Sequence, residues 1–134
     1  MRNLLITACS VATFVAVTAL VPALAGGEPK MTKLLTTPLE DIGREVHIIL
    51  TEVEPGFETE RHLHPGHLFI YVLDGVIEVH VEGEEPMKAS AGEVLREPPN
   101  KPMVGRNVSS TEGARFILFQ IGEVGKPLTV AQPK

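Results

Sequence analysis

Residues 56–75 read GFETERHLHPGHLFIYVLDG and contain three of the five histidines of the chain. His62 and His64 are two positions apart, so on an extended chain their side chains project from the same face. Two imidazoles side by side on one strand form half of a metal site. The strongly apolar run Leu68–Leu73 follows and ends at Asp74-Gly75. This stretch therefore predicts a strand carrying paired histidines, followed by an apolar strand.

The first 25 residues differ from the rest of the 134-residue chain. Arg2 gives a positive start, Leu4–Val21 is almost purely apolar, and Pro22 interrupts the run before Ala23-Leu24-Ala25. A basic residue, an apolar segment and an A-x-A site are typical of a secretory signal peptide. We therefore predict cleavage after Ala25 and an exported protein, either periplasmic or secreted.

Two other interpretations of this segment remain open. The apolar run of 18 residues is near the lower limit for a membrane-spanning helix, so it could be retained as an anchor. Ile6-Thr7-Ala8-Cys9 also resembles a lipoprotein box, although the apolar run before Cys9 is short and continues beyond it.

Cleavage would leave a mature domain of 109 residues, which is enough for one hydrophobic core. Cys9 is the only cysteine and would be lost, so the mature domain could form no disulfide. Loss of Arg2 changes the formal net charge from -5 to -6. This acidity argues against nucleic acid as a partner and, after signal cleavage, against an anionic membrane surface.

Short β-rich runs separated by Gly, Pro and acidic turns make up the rest of the chain. Alternation is clearest in Val76–Glu82, where Ile77, Val79 and Val81 share one face. Asp74-Gly75 between two apolar runs predicts a β-hairpin. Many short strands without helices predict an all-β sandwich or small barrel. The predicted strands are 46–53, 57–64, 67–73, 76–82, 87–89, 93–95, 103–107 and 115–121.

Two spaced motifs resemble those of the cupin family. The first family motif is G-x5-H-x-H-x3-E-x6-G, and the second is G-x5-P-x-G-x2-H-x3-N. The matching residues are Gly56, His62, His64 and Gly75 in the first motif, and Gly92, Pro98 and Asn107 in the second. The resemblance covers about residues 45–122. In particular, the chain resembles the small exported single-domain cupins of bacteria. It implies an all-β cupin double-stranded β-helix (jelly-roll) barrel, of a kind that often pairs into homodimers through sheet edges.

The chain departs from the family at two of the four usual metal-ligand positions. Leu68 stands where the first motif has glutamate, and Met103 stands where the second has histidine. Leucine cannot ligate a metal, and a thioether suits Cu(I) better than Fe(II), Mn(II) or Zn(II). Asn100 also stands where the family often has glycine. The resemblance therefore implies a degenerate metal site that keeps His62 and His64.

The candidate metal ligands are His62, His64, His67 and Met103. The Pro65-Gly66 turn could re-aim His67 toward the other two histidines, although strand periodicity places it on the opposite face. Glu58 and Glu60 are weaker candidates. The expected cofactor is a divalent transition metal ion, Fe, Mn, Zn, Ni or Cu. The alternative is a metal-free barrel mouth in which the histidines form hydrogen bonds.

Two functions are compatible with this sequence. The first is an exported small cupin that binds a metal ion and/or a small organic ligand in the barrel mouth and acts as a metal-dependent enzyme, for which the family implies dioxygenase, isomerase or lyase chemistry. The second is a non-catalytic ligand- or copper-binding cupin. The expected partners are a small-molecule ligand and a second copy of the chain. The expected divisions are a signal peptide (1–25), an exposed leader (26–38), the cupin domain (39–122) and a C-terminal tail (123–134).

Overall fold

The computed structural model describes residues 26–133, and the predicted signal peptide lies outside the described residues. The strands are β1 Lys30–Leu39, β2 Arg44–Val53, β3 His62–Leu63, β4 His67–Asp74, β5 Val76–Val81, β6 Met87–Ser90, β7 Val94–Glu97, β8 Met103–Asn107, β9 Ala114–Glu123 and β10 Val130–Ala131. The first sheet has the order β1-β2-β9-β4-β7, and the second has the order β10-β3-β8-β5-β6. In the described part of the chain, no helix is long and apolar enough to span a membrane.

The hydrophobic core lies between the two sheets and is built by alternating residues. In β4, every second side chain, beginning with Leu68, is buried, while the side chains between them are more exposed. In β5, Ile77, Val79 and Val81 are buried from the opposite sheet. Successive side chains of a strand point to opposite faces, so each sheet presents one apolar face to the other. The prediction of an all-β sandwich is confirmed.

The predicted hairpin at Asp74-Gly75 is wrong, because the strands on either side of it lie in different sheets. Gly75 has a φ of 80°, and a residue with a side chain would adopt this backbone conformation only at a cost in free energy. A Cβ at this glycine would also lie 2.8 Å from the Cβ of Ala114. The chain therefore turns a corner here instead of folding back. β4 and β5 supply opposite halves of the core.

Both ends of the described chain form strands that the sequence pattern did not predict. Segment 26–38, expected to be an exposed leader, contains most of β1. The side chains of β1 are mostly exposed, but its backbone pairs with β2 from Lys30 opposite Glu52 to Leu39 opposite Arg44. In the C-terminal tail, β10 pairs with β3. Both termini therefore add strands to the sandwich.

Candidate functional site

A cavity of about 280 Å³ lies between the two sheets. Its apolar wall includes Ile70, Phe116 and Leu118 from the first sheet, and Ile77 and Val79 from the second. Residues near both ends of the described chain, in the β1 and β10 regions, also line the cavity. A cavity with an apolar wall and a few polar groups is typical of a small-molecule site.

His62 and His64 lie together in the wall of this cavity. Their Nε2 atoms are 3.1 Å apart, and the two ring planes are nearly perpendicular, at 87°. The Nδ1 atom of His62 lies 2.8 Å from the carbonyl oxygen of Glu60, and that of His64 lies 2.6 Å from the carbonyl oxygen of Leu128. A carbonyl only accepts, so each Nδ1–H donates, and in the neutral form of each ring the Nε2 atom keeps a lone pair.

The backbone around the two histidines is held from two directions. The N–H of Asn100 donates to the carbonyl oxygen of His64 at 2.8 Å. Asn100 has a φ of 59°, which asparagine tolerates better than most residues and glycine adopts freely. On the other side, the N–H of Gln132 donates to the carbonyl oxygen of Arg61 at 2.9 Å. The turn before β8 and the C-terminal strand together position the histidines.

Glu97 also lies at this wall, although neither sequence motif indicates it as a ligand. It is 4% exposed, and its Oε2 atom lies 3.2 Å from the Nε2 atom of His64. Among the described residues, this oxygen has no hydrogen-bond partner. The alternation within Val94–Glu97, which buries Leu95 and Glu97, is the sequence signal that would have placed this carboxyl group inside.

Burial holds both members of the His64–Glu97 contact in their neutral forms. It lowers the pKa of His64 from 6.5 to about 4, an effect that the Leu128 carbonyl only partly opposes. It raises the pKa of Glu97 from 4.5 to about 7. Between these values a neutral imidazole faces a neutral carboxyl group, so the close contact is not an ion pair.

The other candidate ligands are placed differently: Glu60 lines the cavity and Met103 is paired with His62, whereas His67 lies apart from them. His67 is exposed on the outer face of β4, with its Nδ1 atom 3.4 Å from Nη2 of Arg96. Met103 is 2% exposed and packs in the hydrophobic core, although it is opposite His62 in the β3–β8 register. Neither residue lines the cavity. Among residues 26–133, no three His, Cys, Asp or Glu side chains are arranged to hold a metal ion. Metal ligation stays a prediction.

Comparisons with known proteins agree with this architecture. A family profile described as the cupin domain matches residues 49–119, just over half of the chain. An uncharacterized conserved protein with a double-stranded β-helix domain from Klebsiella pneumoniae aligns with a TM-score of 0.62 and 20% identity, over 93% of this chain and 100% of that one. A cupin-like protein from Thermotoga maritima aligns with a TM-score of 0.61 and 19% identity, over 87% and 90%.

The DMSP lyase DddQ from Ruegeria pomeroyi aligns with a TM-score of 0.57 and 18% identity over 65% of this chain. This chain spans only 43% of the length of that protein. At such identities the similarity concerns the fold, because one fold carries many activities. A search of curated protein sequences finds no match. The jelly-roll architecture implied by the two sequence motifs is confirmed.

Proposed function

We propose that this chain, which belongs to the cupin domain family, binds a divalent transition metal ion through His62 and His64. A small organic ligand would bind in the cavity beside them. The observation that carries this proposal is the convergence of two Nε2 atoms at 3.1 Å. Each ring is fixed through Nδ1 by a carbonyl oxygen. Metal-ligating histidines almost always use their second nitrogen in this way.

When both rings are neutral, two facing lone pairs at this distance repel each other unless a proton or a metal cation lies between them. Imidazole nitrogens bind zinc at about 2.0–2.1 Å, so two nitrogens 3.1 Å apart are compatible with a shared ion. Imidazole suits Zn, Cu, Fe and Ni. The donor chemistry of His62 and His64 therefore fits the cofactor class that the family implies, and the two residues provide two of the ligands.

The cavity supports a small ligand rather than a large one. Its volume of about 280 Å³ is near the lower end of ordinary ligand pockets, which begin at about 300 Å³. Ile70, Val79 and Phe116 give the space next to the histidines an apolar wall. When bound, a metal ion would polarise an oxygen of the ligand as a Lewis acid. A metal-dependent enzyme of dioxygenase, isomerase or lyase type would use that chemistry.

The second candidate function is a non-catalytic ligand- or copper-binding cupin. It is favoured by Leu68 and Met103, which occupy two ligand positions of the family motifs and are both buried in the apolar core. Neither residue supplies a hard oxygen or nitrogen donor. Turnover assays on metal-loaded protein distinguish this function from the first only after binding has been established.

Export and dimer formation are part of the proposal. The composition of residues 1–25 supports export through a signal peptide. β1 supports a homodimer, because it is an edge strand hydrogen-bonded only to β2 in the described structure, and edge strands are templates for pairing. N-terminal sequencing of the exported protein and light scattering of the mature chain test these two points. Retention of residues 1–25, or a monomer, would contradict them.

Metal analysis of the untagged mature protein tests the central proposal. The protein is stripped with chelator and reloaded separately with Fe, Mn, Zn, Ni and Cu. We expect close to one ion per chain for at least one metal, and its loss in His62→Ala/His64→Ala. The control, His67→Ala/His80→Ala, removes two exposed histidines and should keep the ion. Less than about a tenth of an ion per chain for every metal would refute the proposal.

A further inference from the structure

Glu97 lies one strand away from the position where the family motif places its glutamate. Leu68 of β4 is directly opposite Glu97 of β7 on one side and Gln120 of β9 on the other. Directly opposite residues in an antiparallel pair project from the same face, with Cβ atoms about 4.5–5.5 Å apart. The side chain of Glu97 therefore leaves the sheet beside that of Leu68 and toward the same interior.

In the described structure, the Glu97 carboxyl group is buried with one oxygen left unpartnered. Its side chain is 5% exposed, and its Oε2 atom is a buried oxygen without a hydrogen-bond partner among the described residues. A buried polar group without a partner is costly and uncommon in native structures. Nε2 of His64 lies 3.2 Å from this oxygen and, in the neutral ring, carries one of the two lone pairs described above.

We infer that Glu97 is the carboxylate ligand of this site, taking the role that Leu68 cannot fill. The inference rests on the proposed metal-binding function. The resulting donors are Nε2 of His62, Nε2 of His64 and a carboxylate oxygen of Glu97. Two histidines and one carboxylate suit Zn(II) and Fe(II), and they leave coordination positions for water or a ligand from the cavity.

The three side chains do not form a closed metal site as they stand. His64 takes part in both short contacts, with His62 at 3.1 Å and with Glu97 at 3.2 Å. Glu97 is the member that must move, because the two imidazole rings are tethered through their Nδ1 atoms and Oε2 of Glu97 has no hydrogen bond to break. Metal binding would thus give this oxygen the partner that it lacks.

Co(II) titration of stripped, mature protein tests the inference through the visible absorption of the bound ion, with Zn(II) calorimetry as a second measurement. Glu97→Gln removes the charge with little change in shape. We expect it to weaken binding by more than about 100-fold and to change the Co(II) spectrum, because loss of even an outer-shell partner costs about 10–100-fold. Glu58→Gln is the matched control, since Glu58 is exposed and does not line the cavity.

The outcomes separate this inference from the proposed function. If the wild-type chain binds no metal, the function fails and the inference fails with it. If the wild-type chain binds metal and Glu97→Gln binds it equally tightly with the same spectrum, only the inference is overturned. Circular dichroism checks folding, and Glu97→Met replaces the glutamine variant if that one does not fold. Wild-type affinity in either folded variant overturns the inference.

Discussion

The His64–Glu97 contact predicts an unusual pH dependence of folding in the metal-free protein. The pKa of Glu97 rises on folding from 4.5 to about 7, because the carboxyl group is buried. The folded chain then keeps a proton that the unfolded chain releases, so stability falls as the pH rises from 4.5 to about 7. Above pH 7, burial of Glu97 lowers the free energy of unfolding by about 3 kcal/mol, at 1.36 kcal/mol for each tenfold change in the ionisation constant.

His64 acts in the opposite direction over nearly the same range. Burial lowers its pKa from 6.5 to about 4, so the unfolded chain binds a proton that the folded chain does not. Stability is therefore lost as the pH falls from 6.5 to about 4, again by about 3 kcal/mol. Between pH 4.5 and 6.5 the pH dependences of Glu97 and His64 have opposite signs and nearly cancel, so the stability of the wild-type chain changes little with pH although both groups lower it.

Glu97→Gln separates the two contributions. We expect the variant to match the wild-type chain near pH 4.5 and to exceed its free energy of unfolding by about 3 kcal/mol above pH 7, because glutamine does not ionise. The assay is urea unfolding followed by circular dichroism at a series of pH values, with chelator present. Glu58→Gln controls for the loss of one acidic residue. A wild-type-to-variant difference that does not change with pH would refute the assignment of a neutral, buried Glu97.

Three further predictions concern the framework around the site. Asn107→Ala removes three hydrogen bonds from a buried side chain to backbone groups and should cost about 2–4 kcal/mol in urea unfolding; a cost below about 1 kcal/mol would contradict this. Gly66→Ala places a Cβ 2.4 Å from a backbone oxygen of β9 and should cost about 1–3 kcal/mol. In Gly105→Ala the nearest atom is 3.9 Å away, so equal melting temperatures for the two variants would refute the steric argument. The hydrogen bond with His80 is the largest of the causes that lower the pKa of Glu78 to about 2. The ionised carboxylate therefore stabilises the fold above pH 4.5, and this stabilisation is lost as the pH falls toward 2. Glu78→Gln should therefore be less stable than the wild-type chain at neutral pH, with the difference shrinking in acid; a constant difference would count against it.

The sequence predicted strands where one face is buried, and it missed strands where neither face is. β4 and β5 alternate because their inner residues fill the core, and that alternation is visible along the chain. β1 is almost entirely exposed, so its place in the sheet depends on backbone hydrogen bonds to β2. Backbone pairing leaves no pattern in the side chains, and for this reason the sequence alone predicts no strand at β1.

One part of the candidate site follows from local sequence spacing, and the other depends on the pairing of strands that are distant in the sequence. The approach of His62 and His64 follows from a spacing of two residues, which sequence alone contains. The approach of Glu97 to His64 depends on how β7 aligns with β4, and no local pattern specifies that register. The error at Asp74-Gly75 is similar, because an Asp-Gly pair suits a hairpin and also a corner between sheets. Only the pairing of the flanking strands distinguishes these structures.

In the cupin motifs some positions fix the backbone conformation, and others provide the usual metal ligands. Only the first group of positions specifies the fold. Asn100 takes a left-handed conformation at a position where the family often has glycine, and Asn107 ties its loop to the sheet through three hydrogen bonds. The backbone keeps this conformation although Leu68 and Met103 stand at two of the usual ligand positions, because an apolar residue at either position packs in the hydrophobic core. Adjacent strands in register present neighbouring side chains to the same interior. A lost carboxylate can therefore be replaced from the next strand without any change of fold, as we infer for Glu97, and the donor set has to be sought across the strands as well as along the motif.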